Sequence, residues 1–124
     1  MKRRSTKQRD IVYSALLELY HPTADEVFES LQHTHPTIGR ATVFRNLTVL
    51  VEEGRVYRLN FPGDGARYDP FVDGHTHFSC RSCKKIIDLP PVDNLPYPKS
   101  DEYVIETHTV KYYGLCRDCY QTTK

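Results

Sequence analysis

The stretch RYDPFVDGHTHFSCRSCKKIID, residues 67–88, decides the fold and carries most of the chemistry of this 124-residue chain. His75 and His77 alternate within it, as do side chains on one face of a β-strand, where every second residue points the same way. Cys80 and Cys83 follow as a C-x-x-C pair. This pattern predicts a strand that leads directly into a metal-binding turn.

Length and composition limit the class of protein. The 124 residues, 39% of them hydrophobic, suffice for one ordinary domain or two small ones. No run of about 18 apolar residues occurs, so no membrane span is predicted. No apolar segment follows the basic residues 1–10, which argues against a secretory signal and predicts a cytoplasmic protein. The net charge is only +1. The basic cluster is either a solvated arm or a phosphate contact, and it consists of Lys2, Arg3, Arg4, Lys7 and Arg9.

All four cysteines of the chain fall in two C-x-x-C pairs. Both sulfurs of such a turn can face one ion, and two turns complete a tetrahedral zinc site. In a reducing cytoplasm this arrangement favours metal ligands over disulfides. The alternative is a thiol redox pair, which requires a βαβ context around one pair. Since strands are predicted beside both pairs, we expect a structural Zn²⁺ bound by Cys80, Cys83, Cys116 and Cys119.

The first part of the chain predicts three helices. Residues 6–20 carry an apolar stripe at helical spacing, with Ser5 or Thr6 as N-cap. The residues Thr23-Ala24-Asp25-Glu26 have the form of a capping box before the second helix. The third helix is predicted to end where Gly54 follows it as the C′ glycine.

Two short helices, a turn and a third helix with hydrogen-bond donors near its start make a helix-turn-helix pattern. Arginine can bind guanine edges or phosphates, and threonine can contact either. By periodicity alone, an ordinary three-helix core explains the same pattern equally well. The candidate DNA contacts are Arg40, Thr42, Phe44 and Arg45.

A β-hairpin follows the third helix. Two short strands, at 56–59 and 66–68, flank a Gly-rich turn. A hairpin in this position is the wing of a winged helix, which favours DNA binding. The first domain is therefore predicted at residues 1–68, with a hinge at 69–74.

Residues 75–124 predict a small second domain rich in strands. The strand candidates are 77–80, 85–89 and 103–113, in an antiparallel sheet. Prolines crowd the segment from Pro90 to Pro98 and make a long helix there unfavourable. About 50 residues give a thin core, so a structural metal and burial of an apolar face in a dimer would help to stabilise it.

A second metal site is predicted from the histidines and aspartates of the quoted stretch. Mixed imidazole and carboxylate ligands suit Mn, Fe or Zn rather than a soft thiophilic ion. Asp69 and His75 bracket the domain boundary, so a metal bound by both would tie the domains together, and His21 can reach it from the first domain. In the other interpretation, the aspartates are solvated and the histidines pack on the sheet. The candidate ligands are His21, Asp69, His75, His77 and Asp88.

Taken together, the motifs resemble those of the ferric uptake regulator family of bacterial metal-dependent repressors. The motifs are H-P-T-A-D-E-V (21–27), A-T-V-F-R-N-L (41–47), H-T-H-F-S-C-R-S-C (75–83), I-I-D (86–88) and Y-G-L-C-R-D-C (113–119). The resemblance implies an α+β fold in which an N-terminal winged helix-turn-helix domain precedes a small α/β dimerisation domain with a four-cysteine zinc site. It also implies a homodimer on double-stranded operator DNA, with no membrane or small organic ligand as partner.

Within that family, the chain is most similar to the peroxide-sensing repressors, whose regulatory Mn or Fe site uses three His and two Asp. Those positions fall on the five candidate ligands above, whereas iron-sensing members usually have Glu in place of Asp69 and Asp88. The resemblance implies that Fe²⁺ reacts with peroxide and that a ligand, His21 or His75, is oxidised. Metal and DNA are then released.

The chain also departs from the family pattern. Thr76 stands where members often have an Asp that serves a further metal site. We therefore expect that site to be absent and His108 to have a structural or supporting role. Phe44 replaces a usual tyrosine, which removes a hydroxyl from the DNA-facing helix.

The predicted function is that of a metal-dependent transcriptional repressor, and not of an enzyme. One alternative within the family is a regulator that senses iron or zinc availability. A metal-dependent hydrolase is a second alternative, because His/Asp sites also catalyse, although five protein ligands would leave little room for substrate. A third is a zinc-ribbon module whose helices bind only protein.

Overall fold

The computed structural model describes residues 2–93, 96–106 and 108–122, and the chain divides into two compact units, Met1–Val72 and Asp73–Lys124. The first unit contains α1 (Lys2–Glu18), α2 (Ala24–Leu31), α3 (Arg40–Glu52), β1 (Tyr57–Leu59) and β2 (Arg67–Asp69). The second contains β3 (Thr76–Cys80), β4 (Ile86–Leu89), β5 (Lys111–Gly114) and α4 (Arg117–Thr122). No described helix is long and apolar enough to cross a membrane.

The hydrophobic core of the first unit forms where the three helices pack together. Each helix contributes the apolar positions that its periodicity predicts, because burying that stripe is the main source of stability for a short helix. From α3, the side chains of Val43, Leu47 and Leu50 are fully buried. The other members of the core cluster are Val12, Leu16, Val27, Leu31, Ile38, Val56 and Tyr68.

Helix α1 begins earlier than its sequence pattern predicts. It starts at Lys2 rather than at residue 6, so the expected N-caps, Ser5 and Thr6, lie inside the helix. Lysine and arginine are good helix formers and no glycine or proline interrupts them, so the helix extends through the basic segment. The basic segment is therefore part of α1. The side chains of Lys2, Arg3 and Arg4 lie outside those that the structure describes.

Helix α2 begins with the predicted capping box. The backbone N–H of Glu26 donates to Thr23 Oγ1 at 3.1 Å, and the N–H of Thr23 donates to Glu26 Oε1 at 2.8 Å. These two bonds satisfy donors that the first turn of a helix otherwise leaves without acceptors.

Replacing Thr23 by alanine is expected to lower the free energy of unfolding of the first unit by about 1 kcal/mol, because one cap donor loses its acceptor. Thermal unfolding followed by circular dichroism would show a midpoint about 4–8 °C lower. Thr37→Ala, at an exposed position ahead of α3, is the control. Equal midpoints for the two variants would contradict the stabilising role of the cap.

Helix α3 ends as predicted, and the β-hairpin follows. Gly54 adopts φ +76°, a left-handed conformation that favours glycine after a helix. Strands β1 and β2 pair antiparallel, with Arg58 opposite Tyr68. Asp69 is the last residue of β2 and is opposite Tyr57, so this metal-ligand candidate is part of a strand.

The sheet of the second unit differs from the predicted antiparallel sheet. Its strand order is β4-β3-β5, and β5 pairs with β3 in parallel. The strand predicted over 103–113 is also wrong in most of its length, because β5 covers only 111–114 and the described residues before it form no strand. A parallel pairing needs a crossover connection of a dozen residues or more. The chain between β3 and β5, residues 81–110, is long enough for this crossover and contains β4.

Candidate metal centres and nucleic-acid interface

The four cysteines meet at one end of the second sheet. Their Sγ atoms all lie within 4.8 Å of one another, and those of Cys83 and Cys116 are 3.9 Å apart. Cys80 and Cys116 are buried, whereas Cys83 is exposed. Four sulfurs at these separations fit the tetrahedral four-cysteine arrangement of a structural zinc site.

The parallel pairing of β3 and β5 explains how the two cysteine pairs meet. The register places Cys80 opposite Gly114, so β3 and β5 end side by side at the same end of the sheet. The turn after β3 holds the first pair, and the second pair spans the start of α4. The N–H of Arg81 donates to the carbonyl of Gly114 at 2.7 Å and joins the two turns directly.

The thiol pKa values within this group are shifted in opposite directions. The N–H groups of Cys116 and Cys83 stabilise the thiolate of Cys80 and lower its pKa to about 5. The side chain of Ser82 lowers the pKa of Cys119. Hydrogen bonds with the neighbouring sulfurs and burial outweigh this effect and raise the pKa to about 12. Four such close sulfurs cannot all be anionic by themselves. A Zn²⁺ ion held by these four sulfurs would supply the charge that lets them ionise together.

A second group of metal-type ligands lies on β3 and β4 and on the residue just before β3. The antiparallel register places His77 opposite Asp88, so their side chains share one face of the sheet. The Nε2 atoms of His75 and His77 lie 3.4 and 3.5 Å from the same oxygen, Asp88 Oδ1. The two imidazole centroids are 4.4 Å apart. Two nitrogens and a carboxylate that converge in this way can bind one divalent ion.

Asp73, which the sequence reasoning did not single out, orients one of these imidazoles. Its Oδ1 accepts from the N–H of His75 at 3.1 Å and also hydrogen-bonds His75 Nδ1. The bond to the side chain of His75 is also the main reason why the pKa of Asp73 is lowered. When Nδ1–H donates to a carboxylate, Nε2 is left as the metal-binding nitrogen. The only signal for Asp73 in the sequence is an aspartate two residues before a histidine, a spacing typical of an Asx turn.

The remaining two ligand candidates pair within the first unit. His21 Nε2 lies 3.3 Å from Asp69 Oδ2, and both side chains are only 4% exposed. The other oxygen of Asp69 accepts from the N–H of Phe71 at 2.9 Å. His21 has φ +47°, a left-handed conformation that is uncommon for a non-glycine residue and is often associated with functional sites.

The residues of the expected missing site are used in other ways. Thr76 is buried, and its hydroxyl donates to the carbonyl of Pro90 at 3.1 Å. His108 is exposed, and its Nδ1 hydrogen-bonds the hydroxyl of Tyr97. Among the described residues, neither Thr76 nor His108 belongs to a metal-type cluster.

The candidate DNA contacts lie at the start of α3. Phe44 is 43% exposed and Arg45 is exposed, while Thr42 is half-buried. The guanidinium of Arg45 donates to Thr42 Oγ1 at 3.4 Å. Arg40 is exposed but turned toward α2, where it pairs with Asp25 and lies 4.6 Å from the ring centroid of Phe28. These contacts mean that Arg40 must leave Asp25, or share it, in order to bind another anion.

Comparison with known proteins identifies the family. The sequence profile of the ferric uptake regulator family matches residues 1–113. This chain belongs to that family. It is 34% identical to the peroxide-responsive repressor PerR of Staphylococcus saprophyticus over 94% of the chain and 82% of that protein. The PerR of Staphylococcus aureus is 32% identical over the same shares of the two sequences.

Solved structures of ferric uptake regulator proteins share the fold. The Helicobacter pylori ferric uptake regulator superposes with a TM-score of 0.73 at 23% identity. The match covers 92% of this chain and 80% of that protein, which is described as having three functional metal-binding sites. The peroxide stress regulator of Campylobacter jejuni superposes with a TM-score of 0.72 at 26% identity. The match covers 95% of this chain and 93% of that protein.

Family membership confirms the general class predicted from the sequence. The chain is a metal-responsive transcriptional repressor and not an enzyme, because regulation of transcription is the function of this family. Its expected cofactors, structural zinc and regulatory iron or manganese, are those of ferric uptake regulator proteins. The structure offers thiolate and imidazole–carboxylate groups that suit the two kinds of ion.

Proposed function

We propose that the protein is a peroxide-responsive repressor that releases operator DNA when a ligand of its regulatory metal is oxidised. The carboxylate ligands are the observation that carries this proposal. Both acidic candidates, Asp69 and Asp88, lie within 3.5 Å of a histidine nitrogen that is itself a candidate ligand. Two aspartates with three histidines form the ligand pattern that the resemblance to peroxide sensors implies.

In this proposal one Fe²⁺ or Mn²⁺ is bound jointly by the two units. The first unit contributes His21 and Asp69, and the second contributes His75, His77 and Asp88. A metal shared in this way favours one arrangement of the units by its differential affinity, and its loss shifts the population away from that arrangement. The structural Zn²⁺ bound by Cys80, Cys83, Cys116 and Cys119 stays in place throughout.

The DNA-binding part of the proposal assigns the first unit as a winged helix. Its third helix enters the major groove through Arg40, Thr42, Phe44 and Arg45, and the hairpin and the basic start of α1 contact phosphates. The second unit acts as the dimerisation domain, and the homodimer spans two half-sites. The boundaries are those expected from sequence, with a DNA-binding domain at 1–68, a hinge at 69–74 and a dimerisation domain at 75–124, in a cytoplasmic protein.

Peroxide should add one oxygen atom to a histidine of the iron-loaded protein. One peroxide molecule transfers an oxygen to an imidazole carbon of His21 or His75 and leaves as water. The net change is a two-electron oxidation of the ring and a two-electron reduction of peroxide. Fe²⁺ held by the five candidate ligands would supply one-electron chemistry that starts O–O cleavage, and it would regain that electron from the oxidised ring. Peptide mass spectrometry is expected to show a gain of about 16 Da on one of these residues.

Manganese-loaded protein is the control for the oxidation experiment, because Mn²⁺ does not begin this cleavage under the same conditions. Iron-loaded protein whose His21 and His75 peptides keep their mass, and which still binds DNA after peroxide, would contradict peroxide sensing. The availability of iron or zinc would then be the better candidate for the signal.

Arg45→Ala is expected to weaken DNA binding by about 1–3 kcal/mol if the guanidinium binds a base, or to lower the salt slope by about 1 if it binds a phosphate. Fluorescence anisotropy with labelled operator DNA at several salt concentrations distinguishes the two results. Arg117→Ala, an exposed arginine on α4, is the matched control. Unchanged affinity and salt slope in Arg45→Ala would count against α3 as the recognition helix.

A further inference from the structure

Arg67, on β2, makes an unusual set of contacts for a strand residue. Its Nε donates to Asp64 Oδ2 at 2.8 Å, and Nη2 lies 3.5 Å from the other carboxylate oxygen. The side chains of Arg67 and Asp64 are only 22% and 10% exposed. An arginine fixed by a two-point fork loses little freedom when it makes a further bond, because the planar guanidinium is already oriented.

The third donor of that guanidinium reaches the segment between α1 and α2. Arg67 Nη1 donates to the backbone carbonyl of His21 at 3.0 Å, across 46 positions of sequence. The same nitrogen lies 3.8 Å from Glu26 Oε1, the carboxylate of the capping box. Arg67 therefore joins the hairpin turn, the His21 backbone and the start of α2.

Backbone contacts attach the same segment to β2. The N–H of Tyr68 donates to the carbonyl of Pro22 at 2.9 Å, and Thr23 forms an isolated antiparallel bridge with Arg67. His21, at the end of this attached segment, keeps its left-handed φ of +47°. Such a conformation persists in a non-glycine residue only where its surroundings hold it.

We propose that Arg67 is a positioning residue for the regulatory metal: its bond to the His21 carbonyl holds the backbone conformation in which the His21 imidazole meets Asp69. The inference rests on the metal site proposed above. The two metal-site residues of the first unit then depend on one guanidinium, since Asp69 lies two residues after Arg67 on the same strand. His21 and Asp69 are therefore preorganised for metal binding.

The test is a Mn²⁺ titration of the zinc-loaded full-length protein, with free Mn²⁺ measured by electron paramagnetic resonance. Arg67→Met is expected to weaken Mn²⁺ binding about 10- to 100-fold, the range found when groups that orient metal ligands are removed. Arg67→Lys keeps the charge and a hydrogen-bond donor, so its Mn²⁺ affinity should fall less. In Asp64→Asn the Mn²⁺ affinity should fall several-fold, because the two-point contact that orients the guanidinium is weakened.

The sign of the effect separates positioning from simple electrostatics. Removing a cation near a divalent ion relieves repulsion and would tighten Mn²⁺ binding, whereas losing the His21 contact weakens it. Val51→Ala, a partly buried position in the same unit, is the control for general destabilisation. Arg58→Met, which removes the other arginine of the paired strands, is the control for charge on the hairpin. Both controls should bind Mn²⁺ as the wild type does.

Each outcome decides the inference. Weaker binding in Arg67→Met with partial rescue in Arg67→Lys supports it. If the wild type binds Mn²⁺ and Arg67→Met binds it equally or more tightly, the positioning role of Arg67 is overturned and the proposed metal site is not. Wild-type protein that binds no Mn²⁺ overturns the proposed metal site together with this inference. If Arg67→Met does not fold, Asp64→Asn gives the decision, and an unchanged affinity there overturns the positioning role.

Discussion

Replacing Cys116 by serine is expected to release zinc and to unfold the second unit. Among the described residues of that unit, the buried hydrophobic side chains are Cys80, Ile86 and Cys116, and two of these are themselves candidate zinc ligands. Structural zinc contributes about 10–16 kcal/mol of apparent binding free energy in small zinc domains, which is folding free energy when the apo form has little core. A sheet of three short strands cannot compensate for that loss.

Zinc content by elemental analysis and hydrogen exchange followed by mass spectrometry measure this effect. We expect the zinc content of Cys116→Ser to fall from one ion per chain to near zero, with loss of exchange protection over β3, β4 and β5. The first unit should keep its protection, since its core cluster lies within its own helices and hairpin. Arg81→Ser changes an exposed residue of the same turn without removing a sulfur, and should keep zinc. A Cys116→Ser protein with full zinc and an unchanged fold would exclude the four-sulfur site.

The second large effect is expected for His77→Ala, which should abolish regulatory metal binding while leaving zinc in place. His77 is 4% exposed, lies opposite Asp88 in the sheet register and points Nε2 at that carboxylate. Removing its imidazole would delete a proposed ligand from the second group. Because the metal acts on DNA affinity through a coupling free energy, the loss should remove the whole stimulation by Mn²⁺, a factor of about 5–150 in typical allosteric proteins.

Two measurements on the same samples check this result. Mn²⁺ binding by electron paramagnetic resonance should fall from one ion per chain to none, and operator affinity by anisotropy should no longer depend on added Mn²⁺. His108→Ala is the matched control, because it removes an exposed histidine of the same unit that lies outside both clusters. If His77→Ala also loses zinc, the two sites are not independent. If it still responds to Mn²⁺, the regulatory metal is bound elsewhere.

Local features of this protein were predictable from sequence because they depend on neighbours along the chain. The capping box at Thr23 and Glu26 needs only a spacing of three residues, and Gly54 ends α3 for a local steric reason. The alternation of His75 and His77 likewise predicts that both side chains point the same way, and both Nε2 atoms approach Asp88 Oδ1, although His75 lies just before β3. The types of donor, four sulfurs and a set of imidazoles and carboxylates, already indicated two kinds of metal ion.

Contacts between distant segments were not predictable in the same way. Nothing in the Val-, Ile- and Tyr-rich residues 103–113 shows that only the end of that stretch pairs, or that it pairs with β3 in parallel. That pairing brings the second C-x-x-C to the first. The ion pair of Arg40 with Asp25 and the hydrogen bond of Arg67 to the His21 carbonyl were also not predicted.

The residues alone therefore indicated the three helices and the hairpin of the first unit, the side chains that can bind metal, and the family of the chain. Tertiary structure alone decided which strand lies beside β3 and which guanidinium holds the backbone of His21. The physical reason is that periodicity and capping depend on the nearest residues, whereas strand pairing and long side-chain bonds depend on what the folded core brings together. Such contacts join residues as much as 46 positions apart, as Arg67 and His21 show.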